Sequence, residues 1–251
     1  MPLSNNNFIA LSSVDSTNNY AMAKAHAGLA KHGDAFFAYK QTGGKGQRGK
    51  TWHTGNGENI AISIVVGPKQ LQVAQQFRLS VAVALGCYDF FSKYAGDEVF
   101  IKWPNDIYWR DRKAGGVLIE NIIGKDKWGN NVWRFSVVGI GININQTNFD
   151  KGLGNAVSLK QITGKTFDVV MLAKELQGMV LERAALASEG EFDNLLDEYI
   201  SRLFKKDSTV KLRKGEIEFN TVIKYVLPNG QLFTTDVIDN FFDFGEIEWV
   251  L

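Results

Sequence analysis

Apolar positions recur along this chain with two different periods, and the texture changes near residue 204. Val73, Phe77, Val81, Ala84, Tyr88 and Phe91 follow at spacings of four and three, which predicts an amphipathic helix over about 71–94. Val169, Leu172, Leu176, Met179 and Val180 form a second such stripe; Phe192, Leu195, Leu196, Tyr199 and Leu203 form a third. An earlier helix starts after Asp15-Ser16-Thr17, whose side chains suit an N-cap, and runs to about Ala30. Short apolar runs predict strands over 8–11, 34–40, 59–66, 99–103, 117–123 and 132–144. The run NIAISIVV is apolar enough to be buried on both faces, and Gly129-Asn130 marks the turn between the last two runs. After Phe204 short runs alternate, Pro228-Asn229-Gly230 joins two of them, and no helical stripe appears. The pattern therefore implies an α+β region over 1–204 and a small β-barrel or sheet over 205–251, parting near Lys205-Lys206-Asp207.

A length of 251 residues suits one large domain, or a medium one with an appendage, and needs no covalent staple. Lys and Arg total 28 against 27 Asp and Glu, so no bulk charge grips nucleic acid or an anionic membrane. The single cysteine, Cys87, lies among apolar residues and reads as a buried, inert thiol. His26, His32 and His53 lack metal-ligand spacing, which excludes a His/Cys metal cage. The N-terminal residues show no basic region followed by an apolar core, and no apolar run reaches the ~20 residues of a membrane span. The triplet Asn145-Gln146-Thr147 matters only in a secreted chain, so the expected location is the cytoplasm.

Candidate chemistry concentrates in QTGGKGQRGKTW, residues 41–52, part of a glycine-rich loop over 41–57. Gly44 to Thr51 match a P-loop pattern literally, and Gly44, Gly46 and Gly49 match a dinucleotide fingerprint. Both patterns require a helix whose N-terminus receives the phosphate, whereas here a strand follows. The P-loop also lacks a clean strand-end aspartate for magnesium. What remains is a mobile loop with cations at Lys40, Lys45, Arg48 and Lys50 and exposed N–H groups, suited to a phosphate or else to solvent alone.

Two further segments stand out. In KWPNDI the proline ends a strand-like run and puts Asn105 and Asp106 in a turn, after which Lys113 begins a strand bordered by Gly115 and Gly116. This is a plain hairpin or a place where backbone approaches a ligand. In GIGININ, Gly139 and Gly141 sit two apart in a strand, which makes room either for a ligand or for a crowding helix.

Taken in order, Asp15-Ser16-Thr17-Asn18, QTGGKGQRGKTW, KWPNDI with RKAGG, and GIGININ resemble the biotin protein ligases, over nearly all of residues 8–251. The resemblance implies a mixed β-sheet with packed helices followed by a small SH3-like β-barrel. It implies an enzyme that joins biotin to ATP, releases pyrophosphate, and passes the biotinyl group to a lysine of a biotin carboxyl carrier protein. Magnesium would accompany ATP through phosphate oxygens and water, with no protein metal site.

The same resemblance assigns roles. Lys113, Lys45 and Asp106 are the catalytic group, with Lys113 between the biotin carboxylate and the α-phosphate. Ser16, Thr17, Asn18 and Gln41 match positions facing the ureido ring, and Lys45, Gly46, Gln47, Lys113, Gly116 and Gly141 complete the biotin site. Gly44, Lys45, Arg48, Trp52, Asn105 and Asn143 match the adenylate positions. Two departures occur: Lys45 stands where the family most often has arginine, and Gln47 where many relatives are basic. Only 14 residues precede Asp15, too few for the helix-turn-helix domain of bifunctional family members, so a monofunctional enzyme without DNA binding is expected. A lipoate–protein ligase and a non-catalytic biotin- or nucleotide-binding regulator are the rival readings. The carrier's identity, and monomer against homodimer, stay open.

Overall fold

The structure, a computed structural model, describes residues 7–52, 55–68, 71–150, 155–188 and 190–250. His53 and residues 1–6 of the N-terminal stretch read for a signal peptide lie outside them. The larger sheet comprises β1 (Phe8–Leu11), β2 (Ala35–Ala38), β3 (Ile60–Val66), β4 (Val99–Lys102), β5 (Asp106–Trp109), β6 (Arg112–Lys125) and β7 (Asn131–Ile142). Its order is β1-β2-β3-β7-β6-β5-β4, with β1 and β2 parallel and every other pair antiparallel. Among the described residues five α-helices accompany it: α1 (Thr17–His26), α2 (Gln76–Ala95), α3 (Leu159–Thr163), α4 (Val169–Ser188) and α5 (Phe192–Ser201). The expected mixed sheet with packed helices is what forms.

The two faces of this sheet serve different ends. Ile60, Ile62, Ile64 and Val66 of β3 join Val138, Ile140 and Ile142 of β7 in the main core beneath α2 and α4. There Gly86 of α2 lets the helices close up, since a Cβ would come within 2.9 Å of Val180 Cα. The opposite face is covered by α1, where Ala21 and Ala25 pack on Phe36, Val65, Ile122 and Val137. Beside α1 that face carries small residues, Ala61, Gly116, Gly139 and Gly141, which line a cavity.

Several boundaries differ from the pattern reading, each for a local reason. Helix α1 stops at His26, not Ala30, because Gly28 turns to φ +70° and the Gly28 and Leu29 N–H groups close on the Ala25 and Lys24 carbonyls. Helix α2 begins at Gln76, since Val73–Gln75 make a 3₁₀ turn behind a Gln72/Gln75 capping box. β6 and β7 form one long hairpin, and β6 is twice the expected length. Strand β5 and helix α3 have no counterpart in the pattern reading. Asp106 accordingly opens a strand, opposite Lys102 and Gly116, instead of sitting in the turn.

The C-terminal β unit is a five-stranded antiparallel sheet of β8 (Thr209–Lys214), β9 (Ile217–Val226), β10 (Leu232–Thr235), β11 (Asp239–Phe242) and β12 (Glu248–Trp249), in the order β11-β10-β9-β8-β12. Its contacts with the β4–β5 hairpin matter for function. Phe204 packs between Tyr108 and Trp249, Trp103 meets Phe244 edge-on, and the Trp103 indole N–H donates to the Gly230 carbonyl at 3.0 Å. These aromatic contacts bring the last strand of the chain beside the end of β4.

Candidate active site

A cavity of about 630 Å³ lies on the small-residue face of the larger sheet, walled by the N-terminus of α1, the 41–52 loop, the β4–β5 hairpin and residues 244–249. Its inner end is polar. The Thr17 amide and hydroxyl both donate to Gln41 Oε1, at 2.8 and 3.1 Å. Buried Ser63 lies 2.8 Å from Thr17 Oγ1 and also bonds Asn18 Oδ1, while the Asn18 amide donates to Glu120 Oε2 at 2.8 Å. Ser16, Thr17 and Asn18 are buried, so their remaining hydrogen-bonding capacity is held in fixed directions.

The glycine loop folds back on itself instead of starting a helix, which ends the P-loop reading. Lys45 and Thr51 form a β-bridge, the Gly46 N–H donates to the Lys50 carbonyl at 2.7 Å, and the Trp52 N–H donates to the Gly44 carbonyl at 2.9 Å. Gly44 passes so close to the Trp52 carbonyl that no side chain fits, and it does not line the cavity itself. The hairpin sets the Trp52 indole against Gly141, just as Asn18 occupies the space above Gly139. The strand glycines therefore admit the protein's own side chains, from a helix at one position and a loop at the other.

Charge gathers at the outer half. Among the described residues, Lys45, Arg48, Lys50, Lys102 and Lys113 line the cavity against Asp106 and Glu248, so this surface is positive in a chain of net charge +1. Lys113 Nζ pairs with Asp106 Oδ1 at 2.7 Å, and Gly116 leaves room for that pair, with Asp106 Oδ1 only 3.0 Å from where its Cβ would be. Lys45 stands 3.9 Å from Glu120, and Arg48 stands 4.0 Å from Glu248. Gln47 donates to the Val117 carbonyl at 2.9 Å. Asn143 lines the cavity and donates to the Val157 carbonyl at 3.1 Å. Asn105 does not line it: buried behind the wall, it donates to the Val117 carbonyl at 2.7 Å, and its Oδ1 has no partner among the described residues.

Thus fourteen of the sixteen residues singled out from the sequence meet in one cavity, with Gly44 and Asn105 just behind it. Other residues carried no role in that reading. Ser63 and Glu120 do not line the cavity but hold Thr17 and Asn18 at its polar end, and Lys102, Phe244, Glu248 and Trp249 line its outer end. Burial pulls the Lys102 ammonium down to about 8, with Asp106 opposing and Lys113 and Lys50 adding repulsion. The indole N–H groups of Trp52 and Trp249 are buried at the cavity wall without acceptors among the described residues. Among those residues no group of three His, Cys, Asp or Glu could hold a metal.

A polar nest at one end, and cations with unsatisfied N–H donors at the other, define a site for a ligand pair that is neutral and hydrogen-bonding at one end and anionic at the other. Residues 10–134 match the model of the biotin/lipoate A/B protein ligase family. The chain is 32% identical over 239 residues to the bifunctional ligase/repressor BirA of Salmonella typhimurium, covering 92% of this chain and 70% of that protein. It is 28% identical to the biotin–[acetyl-CoA-carboxylase] ligase of Paracoccus denitrificans, covering 88% and 91%. The fold superimposes on the biotin protein ligase of Aquifex aeolicus in complex with biotin and ATP with a TM-score of 0.79 and 25% identity, over 96% and 97% of the two chains. This chain belongs to the biotin/lipoate A/B protein ligase family.

Proposed function

We infer that the chain is an ATP-dependent biotin–protein ligase, forming biotinyl-AMP and transferring the biotinyl group to a lysine of a biotin carboxyl carrier protein. The observation that carries this reading is the division of one cavity into a buried polar nest and a cationic outer half. A ureido ring needs several fixed donors and acceptors once it leaves water, and Ser16, Thr17, Asn18 and Gln41 supply them from a network already held by Ser63 and Glu120. A carboxylate attacking a triphosphate brings two anions together, and Lys113 is the cation between them. Asp106 holds the Lys113 ammonium at 2.7 Å. Lys45, Gln47 and Arg48 close over the phosphate from the loop, Trp52 flanks the nucleotide, and Asn143 borders it.

Magnesium fits as a companion of ATP. Asp106 and Glu248 already face cations, so the ion would be held mainly by phosphate oxygens and water, and it would offset triphosphate charge there. The reaction uses ATP and a carboxylase subunit, which suits the cytoplasm; among the described residues no helix is long and apolar enough to cross a membrane. The direct test is pyrophosphate exchange into ATP, followed by labelling of a carrier domain with radiolabelled biotin. Exchange is expected only when biotin is present. Exchange driven by lipoate and not by biotin would move the chain to the lipoate branch of its family.

A further inference from the structure

Transfer to a carrier poses a problem that activation does not. The acceptor lysine arrives as an ammonium ion, and its nitrogen attacks only after losing a proton. Among the described residues lining the cavity there is no histidine, and the carboxylates Asp106 and Glu248 face Lys113 and Arg48. Of the basic groups lining the cavity, one has no ion-pair partner within 4.0 Å among the described residues and a buried surrounding that disfavours its charge. It is Lys102, the last residue of β4.

Its surroundings come from four elements. Tyr108 of β5 offers its hydroxyl at 3.2 Å and its ring at 4.9 Å, and Trp249 of β12 offers its ring at 5.3 Å. The charged groups that act on it are Asp106 of β5, Lys113 of β6 and Lys50 of the loop; Glu248 of β12 lines the same cavity. Asp106, the acid that could hold Lys102 charged, is bound to Lys113 instead. Two rings stabilise a cation less than a carboxylate does, and two neighbouring ammonium groups oppose it.

We propose that Lys102 is the general base of the transfer half-reaction, taking a proton from the ammonium of the carrier lysine so that its nitrogen can attack the biotinyl-AMP. The proposal rests on the biotin-ligase reading and assigns a step within it. While triphosphate fills the cavity, its anions keep Lys102 charged. When pyrophosphate leaves, that support goes and the repulsion from Lys113 and Lys50 remains, so the neutral amine becomes accessible near physiological pH. One proton of the acceptor ammonium then passes to Lys102 Nζ. The freed lone pair forms the N–C bond to the biotinyl carbonyl, and the C–O bond to the phosphate breaks with its electron pair going to AMP. The second proton leaves the new amide nitrogen with the departing phosphate, and Lys102 returns its proton to water.

The test uses preformed biotinyl-AMP bound to excess full-length protein, so that activation is bypassed. Single-turnover transfer is followed from about pH 6.5 to 10.5, to the carrier domain and, separately, to hydroxylamine, a weakly basic amine that is mostly neutral over that range and needs no base to attack. For the wild type, carrier transfer is expected to rise to an inflection near 8 and level off, with no such inflection for hydroxylamine. Lys102→Arg keeps the positive charge but does not surrender its proton. Its carrier rate is expected to fall by about 10²-fold relative to its hydroxylamine rate, and to climb until the acceptor lysine itself deprotonates. An arginine variant with the wild-type ratio and inflection overturns the proposal. So does a wild-type carrier profile that rises past pH 10 without a break near 8, a result that needs no variant to fold. A wild-type protein that passes biotin to neither acceptor removes the ligase reading, and the proposal with it.

Discussion

The two unusual loop residues permit a quantitative test of how the activated intermediate is retained. Gln47 spends its side-chain amide on the Val117 carbonyl at 2.9 Å, a neutral bond contributing about 1 kcal/mol. Lys45 is 3.9 Å from Glu120, and with side chains 45% and 32% exposed that pair is worth at most ~1 kcal/mol. Neither residue presents a rigid fork to a phosphate. In the double variant Lys45→Arg with Gln47→Arg, the Val117 bond is lost and a charge-assisted bond of about 1.5–3 kcal/mol is gained. The difference, about 0.5–2 kcal/mol, corresponds to release of biotinyl-AMP slower by roughly 2–30-fold. The assay loads both proteins with labelled biotin and ATP, chases with unlabelled adenylate, omits the carrier, and follows the label that remains bound. Gln47→Arg alone should account for most of the change, because Lys45 already carries its charge. Equal off-rates for wild type and double variant would refute the reasoning. They would mean that Arg48 or Lys50, both on the cavity wall, already supplies the missing contact.

Other outcomes follow from the same geometry. Lys113→Ala should slow adenylation by about 10²–10³-fold, the usual effect of one lost electrostatic stabiliser, with stability changed by less than ~1 kcal/mol because the Lys113–Asp106 pair is about a third exposed; wild-type pyrophosphate exchange would show the role is misassigned. Amide hydrogen exchange across residues 44–50 should slow when biotin and ATP are added, since few backbone bonds close this hairpin; equal exchange with and without ligands would argue against a closing loop. Arg183 joins Asp89 of α2 to Glu198 of α5 through bonds of 2.7 Å, so Arg183→Met leaves two facing carboxylates and should cost about 2 kcal/mol, or roughly 4–8 °C in Tm; a change under about 1 °C would show the cluster is energetically neutral.

How much of the site was legible in the sequence depended on whether a residue's role was local. The loop and the strand glycines were visible because backbone conformation and close approach restrict which residues fit. What fills the space above Gly139 and Gly141 was not visible, because Asn18 and Trp52 arrive from distant elements. Helices with three or more turns left a stripe, whereas α3, of five residues, and β5, of four, are too short for a period to show. Ser63 and Lys102 did leave a signal that went unused: each is a lone polar residue in an apolar run, ISIVV and VFIKW. A polar side chain in a run that is otherwise buried has to be satisfied by something, and at both positions that something is the cavity's own network.

The contribution of residues 244–249 had no local signal at all. Nothing near Trp249 in sequence indicates that its ring lies against a lysine 147 positions earlier. That proximity is produced by Phe204, which follows α5 and packs between Tyr108 and Trp249, and by Trp103 holding Gly230 and Phe244. The C-terminal sheet is thus tied to the β4–β5 hairpin by aromatic side chains from both sides, and the electrostatics of Lys102 depend on that tie. Loosening it would readmit water to the ammonium and restore its ordinary affinity for protons, so the last strand acts on the chemistry through burial as well as through direct contact.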